Sequence, residues 1–125
     1  MGVGPHDGYL LRLFGAHVDQ AFGHVPFQVG SSLTEKRDWR DVDVRLLLPD
    51  EEYAEYFGDP QGETHDAVRL RLWNLAWTTL GQKMTGLPID FQIQPLYAAN
   101  AEFDGPRSAL VLRASELPVV QDGRR

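Results

Sequence analysis

The chain has 125 residues, enough for one domain with its own core. Its net charge of -6 argues against nonspecific nucleic-acid binding through a broad basic surface, and its lack of cysteine excludes disulfides and thiolate metal sites. No apolar run is long enough to cross a membrane, and the N-terminus carries no charged-then-apolar leader, so a cytoplasmic location is expected.

Met1 to Gly8 is rich in Gly and reads as loose chain. From Tyr9 to Phe22, residues Leu10, Leu13, Phe14, Val18, Ala21 and Phe22 recur at helical spacing, with Gly15 as a weak point. Gly23-His24 supplies a residue able to take positive φ and close that helix. The apolar run Val25 to Val29 follows as a strand, with Val25, Phe27 and Val29 on one face. It stops at Gly30, and Ser31 and Ser32 come next. Gly30 marks either a plain strand-to-helix turn or a place where the backbone meets a ligand closely. A helical turn from Ser32 to Lys36 would leave free N–H groups facing an anion.

Lys36, Arg37, Arg40 and Arg45 gather around the next strand, either as a solvated set paired with Glu35 and Asp38 or as local attraction for a triphosphate. The strand Val42 to Leu48 is apolar enough to lie centrally in a sheet. Strand alternation puts Asp41, Asp43 and Arg45 on one face and Val42 and Val44 on the other, with Asp41 and Asp43 about 7 Å apart. Like charges so placed are costly unless a cation lies between them, and hard oxygen ligands suit a divalent metal. Arg45 either holds a phosphate or neutralises an aspartate. Pro49 ends the strand, and Asp50-Glu51-Glu52 opens a short helix through Phe57 in accord with the helix dipole.

After a loop from Gly58 to Gly62, the longest helix is predicted over Thr64 to Thr85, with Thr64 as N-cap. Leu70, Trp73, Trp77, Leu80 and Met84 form the stripe expected to face the core. Gly86 closes this helix. In Ile89 to Gln94 the alternation is clean: Ile89, Phe91 and Ile93 on one face, Asp90, Gln92 and Gln94 on the other. Pro95 is expected to break the strand, followed by a loop through Pro106, an edge strand near Ala109 to Leu112, and a frayed polar end.

Val29-Gly30-Ser31, a connector to Arg40, Asp41-Val42-Asp43-Val44 and then Ile89-Asp90-Phe91 form an ordered set. Together they resemble the nucleotidyltransferase superfamily, which includes DNA polymerase beta, poly(A) polymerases and kanamycin nucleotidyltransferase. The likeness covers residues 9–95, leaving 96–125 as a C-terminal extension of the single domain. An Arg-Gly pair common in the family's connector is replaced here by Glu35-Lys36-Arg37.

The resemblance implies an α+β fold: a small mixed sheet with helices packed on one face and the acidic face open. It also implies transfer of a nucleoside monophosphate from an NTP, ATP among the candidates, with release of pyrophosphate. Asp41, Asp43 and Asp90 would be the catalytic acids and would hold magnesium or manganese. Gly30, Ser31, Ser32, Lys36 and Arg45 would contact the nucleotide. The acceptor is left open between a protein, an RNA end and a small molecule, and a homodimer mate or partner protein would supply its recognition. A regulatory nucleotide-binding module of the same fold is the alternative. A metal-dependent nuclease is a second alternative, although no Glu-x-Lys follows the acidic pair.

Overall fold

In the computed structural model the described residues are 5–30, 41–102 and 107–117, without the side chains of 100–102. Along the chain run α1 (Pro5–Phe22), β1 (Phe27–Val29), β2 (Val42–Leu48), α2 (Asp50–Phe57), α3 (Ala67–Thr85), β3 (Ile89–Pro95), α4 (Leu96–Glu102), β4 (Ser108–Ala109) and a 3-10 turn (Ala114–Glu116). The strands form one mixed four-stranded sheet in the order β3-β2-β1-β4. β2 runs antiparallel to β1 and parallel to β3, so the apolar run expected to be central is central.

Alternation along β2 decides which side of the sheet becomes the core. Val42, Val44, Leu46 and Leu48 are fully buried, beside Ile89, Phe91 and Ile93 of β3. Leu11, Phe14 and Val18 of α1 and Tyr53 and Phe57 of α2 close the same core. Trp73 and Trp77 of α3 pack against Phe22 at 6.0 and 5.6 Å between ring centroids. Both tryptophans therefore contribute to packing, as expected. Leu80 does not; it is 41% exposed.

β3 lies at one edge of the sheet, and a bare edge would invite pairing with another chain. Side chains of α3 cover it. The Thr78 hydroxyl donates to the Phe91 carbonyl (3.2 Å) and accepts from the Phe91 N–H (2.9 Å). Asn74 Oδ1 accepts from the Ile93 N–H at 2.9 Å, and Gln82 Nε2 donates to the Ile89 carbonyl at 3.1 Å. These polar positions on α3 do the work of a neighbouring strand.

Several boundaries differ from the sequence expectation. α1 is already helical at Pro5, the first described residue, ahead of the expected Tyr9. α3 is capped by Asp66, whose side chain accepts from the Arg69 N–H, while Thr64 accepts from the Asp59 N–H. β3 includes Pro95, paired with Leu48, and the expected loop after it contains α4.

The end of the described chain is tied down. Arg12 makes two bonds to Glu116, 3.0 Å from Nε and 2.6 Å from Nη2, joining α1 to the 3-10 turn. The N–H of Leu110 donates to the Pro26 carbonyl, and the space a Cβ at Gly15 would need is taken by Leu110. Hydrogen bonds from Arg12 and from the Arg113 backbone hold the Glu116 carboxyl down to about 2. A depressed folded pKa stabilises above the unfolded value and is lost as pH falls through the folded one. Glu116→Gln is therefore expected to lower the melting temperature at pH 6 to 8, and the gap to wild type should close between pH ~4.5 and ~2. A gap that stays constant across this range would show that the pair adds nothing.

Candidate functional site

The register of the sheet assembles the site. Asp43 of β2 stands opposite Val29 of β1 on one side and Asp90 of β3 on the other. Directly paired residues point to the same face, so Asp43 and Asp90 lie side by side away from the helical core. Arg45, two residues along β2, shares that face.

Gly30 follows Val29 and has φ of +79°, a conformation that a side chain disfavours. The position that its Cβ would take is occupied by the carboxylate of Asp43. The abrupt end of the first apolar run is thus a close approach between backbone and acid. Ser31, Ser32 and Lys36, the other expected nucleotide contacts, lie outside the described residues.

Arg45 is only 7% exposed and sits between the two acids. Its Nη2 is 3.6 Å from Asp43 Oδ1 and 3.5 Å from Asp90 Oδ2. Its Nη1 donates to the backbone carbonyls of Val44 (3.1 Å) and Asp90 (2.8 Å). The buried Nε has no hydrogen-bond partner among the described residues. The guanidinium is therefore held by backbone on one side and touches the acids loosely on the other. Neutralisation of the aspartates, one of the two expectations for Arg45, is seen directly.

Burial lifts the Asp43 carboxyl above the usual aspartate range; Arg45 opposes that lift, and the charges of Asp90 and Asp41 add to it. Ionised Asp43 is thus uncomfortable without more positive charge nearby. Asp41 precedes β2 and is exposed. No group of three or more His, Asp or Glu side chains among the described residues converges as a metal site. Asp43 and Asp90 remain a fitting pair of hard oxygen donors for magnesium, which commonly takes one or two carboxylates and completes its shell with water and substrate phosphate.

A groove of about 500 Å³ opens beside Asp90, between α3 and the edge of the sheet. Arg71, Asn74, Leu75 and Thr78 form its helical wall, and Asp90 and Gln92 its strand wall. Gln92, on the same face of β3 as Asp90, thus lines a cavity next to an acid. The groove itself had no signature in the sequence, because it depends on how α3 folds back along β3 after the short turn at 86–88. No protein-family model, curated protein or solved structure matches the chain.

Proposed function

We propose that the chain is a metal-dependent nucleotidyltransferase, moving a nucleoside monophosphate from an NTP to an acceptor hydroxyl or phosphate with release of pyrophosphate. The pairing of Asp43 with Asp90 on one open face, with Gly30 against Asp43, is the observation that carries this reading. Asp43 and Asp90, with the exposed Asp41 just before β2, would hold magnesium or manganese, which when bound neutralises phosphate charge and acidifies an acceptor hydroxyl. Arg45 offers a phosphate the one nitrogen that the acids hold only loosely, Nη2. Gly30 keeps the backbone low beside Asp43, and Asp90 faces the groove where an acceptor would lie. Such chemistry depends chiefly on alignment and charge.

Incubation with labelled ATP, GTP, CTP and UTP and magnesium, against host RNA and protein extracts, tests the reaction. Metal binding is tested separately. Magnesium should raise the wild-type melting temperature, and more so with an NTP, because ligands of the native state stabilise it by mass action. Replacing Asp41 and Asp43 together by Asn should abolish that rise; a double variant that responds as wild type does would place the metal elsewhere.

The position of Arg45 favours a second reading, a regulatory nucleotide-binding module in which the guanidinium is the permanent counter-ion. Arg45→Met separates the two. Without metal it should cost ~1–3 kcal/mol, less than for a fully buried pair because both carboxylates are partly exposed. In a transferase, wild type and variant both gain from magnesium, the variant more. In a regulatory module only the variant gains.

A further inference from the structure

The outward face of α3 is apolar and has nothing packed on it among the described residues. Val68, Leu72 and Leu75 are 63%, 59% and 62% exposed. With Thr79 they recur every three or four residues, the spacing that lines side chains up along one side of a helix. Gly81 and Thr85, the buried residues of α3, lie on its other side. A helix facing water normally carries polar residues there.

Charge indicates what would cover this face. Between Ala67 and Thr85 the helix carries Arg69, Arg71 and Lys83 and neither Asp nor Glu, in a chain of net charge -6. Arg69 is engaged by Asp66 at 3.7 Å and by the Tyr56 carbonyl at 3.3 Å. Arg71 and Lys83 flank the apolar line on opposite sides and have no ion pair among the described residues.

We propose that this face docks an amphipathic helix of a partner protein, its apolar seam on Val68, Leu72 and Leu75 and its Asp or Glu flanks opposite Arg71 and Lys83. The heptad-like spacing selects a helix, because such a seam fits another of the same spacing. The unpaired cations select acidic flanks. A second copy of α3 would set one basic helix against another. Arg71 and Leu75 also wall the groove that reaches Asp90, so a seated partner adjoins the candidate site. The proposal does not depend on nucleotidyl transfer.

The test uses the full chain with a synthetic helical peptide bearing Leu at the seam and Glu on both flanks, and a twin with Lys flanks. Fluorescence anisotropy at low salt should show the Glu peptide binding at least roughly tenfold tighter than its twin. Leu72→Glu should abolish saturable binding, and Arg71→Glu with Lys83→Glu should reverse the preference. These positions are exposed, so circular dichroism and melting temperature should match wild type. Equal binding of the two peptides, or binding of neither, overturns the proposal. So does a dimer in light scattering that Leu72→Glu converts to monomer, which would assign the face to a second copy.

Discussion

Gly30→Ala is expected to destabilise the chain by ~2–4 kcal/mol, clearly more than Gly86→Ala. Both glycines have positive φ, +79° and +72°, so both substitutions carry the cost of a side chain in a left-handed conformation, about 1–2 kcal/mol. They differ in surroundings. A Cβ at Gly86 meets nothing within 4 Å, whereas one at Gly30 collides with the carboxylate of Asp43. The excess at Gly30 therefore measures how firmly Asp43 is held, since overpacking costs ~1–3 kcal/mol when the neighbour cannot give way. A double-mutant cycle with Asp43→Ala isolates that contact, because removing the carboxylate should bring Gly30→Ala down to the Gly86→Ala value. The larger Gly30→Val, if folded, should lose NTP affinity together with the magnesium response, both through displaced Asp43. Equal costs at Gly30 and Gly86 would show that the acid moves aside freely, leaving only the turn reading for this stretch.

Much of that geometry was legible because strand alternation is a local property. Val42 to Leu48 and Ile89 to Gln94 each write their faces into the chain, and in-register pairing then brings Asp43 to Asp90. The position of Arg45 followed from the same parity, but the contest between phosphate and aspartate did not, since it turns on distances across two strands. The outer line of α3 was hidden for another reason. Apolar residues surround much of this helix, so helical spacing alone does not tell the Leu70–Trp73–Trp77 stripe from the line of Val68, Leu72 and Leu75. Leu80 shares the spacing of that stripe and is exposed all the same. Asp66 and Thr64 are equivalent caps in composition, and only the Asp59–Thr64 turn decides between them. The tie from Arg12 to Glu116 spans nearly the whole chain and has no local signature. Gly15, a weak helix former, leaves room for Leu110, another partner distant in sequence.

Asp90→Asn is expected to separate binding from transfer. Asn keeps the shape of Asp, and the backbone carbonyl of residue 90 still accepts from Arg45 Nη1, so the fold and the position of the guanidinium should persist. What is lost is one carboxylate on the side of the site that opens into the groove, away from Gly30. NTP affinity should stay within a few-fold of wild type, because Asp43 and Arg45 remain. Nucleotidyl transfer should fall on the order of a hundredfold or more if Asp90 orients or deprotonates the acceptor. Asp43→Asn makes the contrast: it removes the acid between Gly30 and Asp90, so binding and transfer should suffer together. Titration with labelled NTP and initial rates of pyrophosphate release give the two readouts on the same preparations. An Asp90→Asn protein that transfers at the wild-type rate rules Asp90 out of the chemistry. A wild type that binds NTP yet releases no pyrophosphate with any acceptor passes the site to the regulatory reading, with Arg45 as its fixed cation.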